Sequence, residues 1–211
     1  MNEEGAVNKV ITDIKKNVSD VEILLVDSSK DKTPEIAESM GAKVIRQFPP
    51  QGYGPAMDLA LRSAKGNIIV TLDCDDTYPA DMIPVLADYI EKKGYDIVDG
   101  SRLKKKPTTM PMINYIANRG FAIIASILFG QYITDLHSGM RAYKKTLIEE
   151  LKYDPKGAAL PVELLLRPLK MKKKLKVVFI DYFDRLGQES TMQPLDSALW
   201  TLKRILRARF T

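Results

Sequence analysis

The sequence predicts an α/β fold with a mostly parallel central sheet and helices on both faces. Short apolar runs of strand character alternate with helical patterns through the first hundred residues, as in successive β-α-β crossovers. Several of these runs end in a carboxylate, Asp27, Asp73 and Asp99 among them, and ligands of such sheets gather beyond the carboxyl ends of the strands. At 211 residues, 45% apolar and 28% charged, the chain is long enough and apolar enough for one globular domain with a real core.

The elements follow in order. A helical pattern at about 3–17 leads into VEILLVD (21–27), a buried-strand pattern. Next come a helix at 33–40, the strand AKVIRQF (42–48), the Pro/Gly loop PPQGYGP (49–55), a helix at 56–65 and the strand NIIVTLD (67–73). A helix at 80–93 and the strand YDIVDG (95–100) close this half. Beyond the basic loop KKKP (104–107), residues 112–130 form a mostly apolar helical stretch, and TDLHSGMRAY follows. Helices at 144–151 and 160–170, the strand KVVFIDYF (176–183), the loop DRLGQES and a helix at 195–208 complete the pattern. No internal repeat or low-complexity linker divides it.

Charge and cysteine content narrow the setting. The single Cys74 excludes an intramolecular disulfide framework. The start MNEEGAVNK has no apolar signal core, and the longest apolar stretch, Phe121 to Phe129, is expected to be too short to span a bilayer. A soluble or peripheral protein is therefore expected. Basic residues cluster at Lys170, Lys172, Lys173, Lys174 and Lys176, and again at Lys203, Arg204, Arg207 and Arg209. These clusters suit a solvated face, an anionic membrane surface or a polyanionic ligand. Nucleic acid is not expected, because no aromatic-basic interleaving accompanies the charge.

The stretch VTLDCDDTYP gathers three carboxylates, Asp73, Asp75 and Asp76, at a strand end. Like charges so close favour a compensating cation or a chemistry that uses shifted pKa values. A metal-nucleotide site, an aspartyl nucleophile and a helix cap all fit the ten residues alone. As D-x-D-x-T the stretch also matches the nucleophile motif of haloacid-dehalogenase phosphatases, with Asp73 attacking phosphorus and Asp75 as acid/base. The only late acidic pair, Asp181 and Asp184, lacks the usual glycine, and the motif follows about seventy residues of α/β pattern instead of opening it.

The segments EILLVDSSKDKTPEIAES, GYGPAMDLALRSAKGNIIVTLDCDD, VDGSR, DLHSGMRAY and DRLGQES, in that order, resemble family 2 glycosyltransferases of the GT-A fold. Within these the chain looks most like the polyprenyl-phosphate hexose synthases, over nearly its whole length. The resemblance implies one GT-A domain over residues 1–211, with a nucleotide-binding half (1–100) and an acceptor-binding half (101–211). It implies inverting transfer of a hexose from GDP-mannose or UDP-glucose to a polyprenyl or dolichyl phosphate. Asp27 would bind the base, Asp73 would face ribose and metal, and Asp75 would sit directly on Mg²⁺ or Mn²⁺, with Thr77 able to complete the metal shell. Asp76 is expected at the N-cap side of the following helix. Gly52 and Gly54 would keep the loop beside the nucleotide flexible.

A phosphate monoester is largely ionised near neutrality, its second pKa being about 6, so its transfer needs cations more than a base. Arg102, Arg119, Arg141 and Arg185 are the candidates. Asp135 and Ser138 match a D-x-x-S-G segment near the reacting centre, where Asp135 would orient an arginine or the sugar; His137 between them is expected to be structural. Ser28, Tyr53 and Thr191 depart from the family pattern, which commonly has glycine, a basic residue and lysine there. Residues 112–130 with the preceding lysines, and ALWTLKRILRARF at the end, are expected to contact a membrane peripherally, on its cytoplasmic face. The family's first strand, ending in a segment like PAYNEE, is represented only by Asn2, Glu3 and Glu4, and a late-assigned start codon is the expected reason. Two alternatives remain: a transferase acting on a glycan hydroxyl, with Asp135 the only candidate base, and a nucleotide-sugar-binding protein without turnover if the short N-terminus is genuine.

Overall fold

The computed structural model describes residues 1–108, 110–184 and 194–211. Its elements are α1 (Val7–Asn17), β1 (Leu24–Asp27), α2 (Thr33–Ser39), β2 (Lys43–Arg46), α3 (Tyr53–Ser63), β3 (Ile68–Thr71) and α4 (Met82–Glu91). There follow β4 (Ile97–Ser101), α5 (Met112–Phe129), β5 (Arg141–Lys144), α6 (Lys145–Glu150), α7 (Leu160–Lys170), β6 (Leu175–Phe179) and α8 (Pro194–Phe210). Every strand and helix expected from periodicity is present, with ends shifted by a few residues. The strand β5 was not expected. Its four residues, RAYK, are too short to show alternation, and they become a strand by pairing antiparallel with both β3 and β4.

The strands form two sheets. β1 and β2 pair in parallel, Leu24 opposite Lys43 and Asp27 opposite Arg46. The second sheet runs β3-β5-β4-β6, with β4 and β6 parallel and β5 alone reversed. Among the described residues β1 and β3 each pair on one side only.

Helix α1 joins the two pieces. Val7 and Ile11 pack with Ala37, Ala42, Leu25 and Val44 on the first sheet's side. Val10 and Ile14 pack with Ile83, Leu86, Val98 and Ala142 on the other. Apolar residues at i, i+3, i+4 and i+7 give the helix one wide apolar face, and burying each such side chain contributes roughly 1.5–3 kcal/mol. The largest core cluster lies beneath α3, α5, α6, α7 and α8, around Leu61, Ile97, Leu136, Tyr143, Leu147, Leu160 and Ile205.

Two expectations about the basic and apolar segments change. Arg204 and Arg207 of the C-terminal cluster face inward: Arg204 is buried, donating to Glu163 of α7 and to the carbonyls of Asp154 (2.7 Å) and Lys156, and Arg207 donates to the Asp154 carboxylate at 2.8 Å. The stretch 121–129 belongs to α5, whose 18 residues are apolar and long enough to cross a membrane by length and composition, with 11% of that window buried. Ala122 and Ala125 bury against the core while Phe121, Leu128 and Phe129 pack beside them, so α5 lies along the protein. Its other face, Met112, Ile113, Ile116, Ile123, Ile124 and Ile127, is open, Ile127 being 77% exposed.

Candidate active site

The N-terminal residues NEE are laced to the loop after β1. Asn2 N donates to Ser29 Oγ at 2.7 Å, Glu3 N to Thr33 Oγ1 at 2.9 Å, and Lys32 N to Glu4 Oε2 at 3.1 Å. Glu3 is buried at the start of α1, close enough to Cys74 to act on it electrostatically. Burial, reinforced by Glu3, pushes the Cys74 thiol up to about 12, so it is not a nucleophile.

At the end of β1 the Asp27 carboxylate accepts from Ser29 N at 2.9 Å, from Ser29 Oγ and from Arg46 Nη1, while Arg46 Nη2 donates to Ser29 O at 2.8 Å. Parallel register sets Arg46 directly beside Asp27. Arg46 was missed by sequence reasoning; the strand-end position opposite Asp27 was the available signal. Gly54 lies in the first turn of α3, and the backbone oxygens of Pro155 and Gly157 sit where its β-carbon would be. Its glycine character thus serves close packing with that loop, which corrects the expected role of loop flexibility. Gly52, with φ of 99°, is the position whose backbone favours glycine.

The acidic knot divides three ways. Asp75 is buried, and its Oδ1 accepts from Thr77 Oγ1 at 2.6 Å and Thr77 N at 3.3 Å. Thr77 therefore holds Asp75 in place. Asp73 lies against Gly139, with its Oδ2 2.7 Å from where a β-carbon on that glycine would stand. Asp76 is not a helix cap: at φ 62° it turns to Lys9 of α1, 2.8 Å away, and α4 starts only at Met82. Pairing across the sheet division satisfies its charge.

The segment 135–140 interlocks with this loop. Gly139 N donates to Tyr78 Oη at 2.7 Å and Thr71 Oγ1 to Gly139 O at 2.8 Å. Arg102, just beyond β4, grips Asp135 with a fork of two bonds, Nε to Oδ2 at 2.7 Å and Nη2 to Oδ1 at 2.9 Å. The Tyr182 ring lies 5.2 Å from the Arg102 guanidinium and packs edge-on against Tyr78. Burial alone would raise the Asp135 pKa, but the Arg102 charge and fork reverse this and bring it down to about 2. The expectation that Asp135 orients an arginine describes this pair.

Arg141 and Ser138 are structural. Arg141 is buried, spending Nε on Asp99 (2.6 Å), Nη1 on Pro161 O and Nη2 on Asp135 O (3.2 Å), so its expected role as a phosphate cation is corrected. Complete burial pushes Asp99 up to about 6 despite Arg141. Ser138 is buried and donates to Gly100 O, which ties its segment to β4. His137 is half-buried, with its Nδ1 shielded from water and Nε2 2.9 Å from Thr201 Oγ1 of α8, and desolvation of the ring lowers it to about 4. Arg119, half-buried on α5, donates among the described residues to Leu103 O alone, at 3.4 Å. Arg185, Ser190 and Thr191 lie outside the described residues.

Asp73 and Asp75 offer hard carboxylate oxygens, and among the described residues no group of three or more His, Cys, Asp or Glu side chains could hold a metal by itself. That fits an ion of the Mg²⁺ or Mn²⁺ kind, which takes one or two carboxylates and completes its shell with phosphate oxygens.

The fold is GT-A. Solved structures of glucosyl-3-phosphoglycerate synthase from Mycobacterium tuberculosis match over 99% of this chain and 77% of theirs, at 20% identity and a TM-score of 0.78; one holds Mn²⁺, UDP and glucosyl-3-phosphoglycerate. The chain is a glycosyltransferase. It belongs to glycosyl transferase family 2, whose model matches residues 1–152. A dolichyl-phosphate hexose transferase of Haloferax volcanii is 42% identical over 189 residues, covering 89% of this chain and 81% of that one. A dolichol-phosphate mannosyltransferase of Pyrococcus furiosus is 31% identical over 167 residues, covering 75% of this chain and 47% of the relative.

Proposed function

We propose that this chain transfers a hexose from a nucleotide-diphosphate sugar to a polyprenyl phosphate, inverting the anomeric carbon. Residues 1–100 hold the donor and 101–211 the acceptor. The observation that carries the acceptor class is the state of Asp135. A sugar hydroxyl needs a base to take its proton. Asp135, the candidate base among the described residues, is wholly buried, forked to Arg102 and lowered to about 2. A carboxylate held so acidic is a poor proton acceptor at neutral pH, whereas a phosphate monoester arrives already ionised. The relatives named for transfer to dolichyl phosphate support the same reading.

In this scheme Asp27 and Arg46 bind the base and ribose end, and Asp73 and Asp75, with Thr77 fixing Asp75, hold the divalent ion. That ion neutralises charge on the departing diphosphate. Asp135 fixes Arg102, whose remaining Nη1 and the lightly bonded Arg119 orient the acceptor phosphate for attack. Arg185, two residues beyond Phe183, is the further expected cation. The open face of α5, with the apolar residues Leu199, Trp200, Leu206 and Phe210 of α8, rests on a membrane that presents the lipid, on the cytoplasmic side.

Radiolabelled GDP-mannose and UDP-glucose, each with polyprenyl phosphate and Mg²⁺ or Mn²⁺, test the reaction. Label entering the organic phase is expected, and Asp75→Asn should reduce it by at least about a hundredfold while leaving the circular dichroism spectrum unchanged. Label passing to a soluble glycan and not to lipid phosphate would overturn the acceptor class. Full activity in Asp75→Asn would overturn the metal role.

A further inference from the structure

We propose that the Lys172–Lys174 turn and the end of α5 form a second lipid contact, a seat for the phosphate headgroup of an anionic membrane phospholipid. This rests on the membrane-facing reading of α5 above. A pocket of about 420 Å³ opens here, with Lys172, Lys173, Lys174 and Gln131 as its polar wall and Tyr95 and Phe129 as its apolar one. It has no part in the donor or acceptor site. Tyr95 precedes β4 and Leu175 begins β6, so the pocket lies at the amino ends of those strands, opposite the carboxylates.

The turn is built to display ammonium groups. α7 stops at Lys170, and Lys172 takes a left-handed φ of 59°. Lys172 N and Lys173 N close back on Leu169 O and Pro168 O at 3.0 Å each. Lys174 N is then fixed on Asp96 Oδ2 at 2.8 Å. The nearby acids are engaged: Glu150 pairs with Lys173 at 2.7 Å and Asp96 with Lys144 at 2.9 Å. Lys172 and Lys174 are exposed and, among the described residues, have no carboxylate within ion-pair distance.

A lipid headgroup fits this better than a free polyanion because the surroundings are amphipathic. Phe129 is the last residue of α5, and beside the pocket Ile127, Tyr132 and Met171 are exposed. Near its middle α5 approaches the acceptor site, where Arg119 reaches Leu103 O. Its 18 residues span about 27 Å at 1.5 Å per residue. Cationic groups stand at both ends, Lys104, Lys105 and Lys106 before it and the lysine turn after it. A helix held by headgroups at each end lies flat in the interface, its open aliphatic face in the acyl boundary, and does not cross it. That orientation brings Arg102 and Arg119 to the depth where a lipid phosphate sits.

Flotation with phosphatidylcholine vesicles, with and without phosphatidylglycerol, tests the seat. The wild-type chain should prefer the anionic vesicles, and Lys172→Glu/Lys174→Glu should reduce that preference by about tenfold or more. Lys16→Glu/Lys43→Glu, an equal change of charge at exposed lysines of α1 and β2 away from α5 and the pocket, should lose distinctly less. Equal losses in the two variants would overturn the seat in favour of diffuse attraction, and an unchanged preference in the Lys172/Lys174 variant would overturn it outright. Competition by free inorganic phosphate at concentrations matching the vesicle lipid would overturn the lipid as ligand. Transfer to a short-chain, water-soluble prenyl phosphate without vesicles is measured in parallel. It should be unchanged in the Lys172/Lys174 variant; its absence in wild type would defeat the acceptor reading while the flotation comparison still judged the seat.

Discussion

Gly139 has room for a hydrogen and little more on the side of Asp73. A β-carbon there would lie 2.7 Å from Asp73 Oδ2 and 3.0 Å from Cγ, and overpacking of this kind costs typically about 1–3 kcal/mol. The least costly relief is rotation of the carboxylate, so Gly139→Ala should weaken Mn²⁺-dependent nucleotide binding by about tenfold or more while the melting temperature barely moves. Calorimetric titration with UDP and GDP, with and without Mn²⁺, checks this; wild-type affinity would show that the Asp73 position is immaterial.

His137 makes a different kind of prediction. Unfolded, its imidazole takes a proton near 6.5, but desolvated in the fold it does so only near 4. Stability from the neutral ring is therefore full above about 6.5 and lost as pH falls towards 4. Asp99 acts in the opposite sense: raised to about 6, it favours the native state as pH falls through that value. Comparison with His137→Gln isolates the imidazole. The stability advantage of wild type over that variant should shrink by about 3 kcal/mol between pH 7 and pH 4, read by urea unfolding. A pH-independent gap would mean that His137 is charged in the native state.

At the scale of elements, α8 is fastened by one buried arginine. Arg204→Met leaves two carbonyls without their donor and removes the shortest cation contact of Glu163, which keeps Arg167 at 2.6 Å and Arg207 only at 4.0 Å. Removing one partner of a buried pair typically costs about 3–5 kcal/mol. Arg207→Ala, at a side chain 40% exposed, should cost no more than about 1 kcal/mol. Urea denaturation of both variants tests the contrast, and similar losses would refute it. Neither role was legible beforehand, because RILRAR reads as a uniformly basic face until the partners on α7 and the 154–157 loop are known. The same holds for Arg141, whose partners Asp99 and Pro161 lie 42 and 20 residues away. Periodicity is local and was enough for the helices and for strands with apolar runs, whereas β5 exists through its neighbours on either side. The site's carboxylates were legible because they close strands; the contacts that consume the arginines were not.

For the whole molecule the divided sheet has a consequence for ligand binding. The proposed donor contacts are split between the pieces, Asp27 and Arg46 on β1–β2 and Asp73 and Asp75 after β3. α1 spans the division, with Lys9 reaching Asp76. A metal-bound nucleotide would add a second span across the carboxyl ends of the strands, and a ligand that binds only the native state stabilises it by mass action. At about a hundred times its dissociation constant that amounts to about 2.7 kcal/mol, or a rise in melting temperature of about 5–10 °C for a chain of this size. The rise should require nucleotide and Mn²⁺ together and vanish with chelator. Amide exchange should slow in β1, β2 and β3 alike, since a bridge cannot protect one bank alone. Protection confined to β1–β2 would place the base without the diphosphate, and a full rise in the presence of chelator would remove the metal from the site.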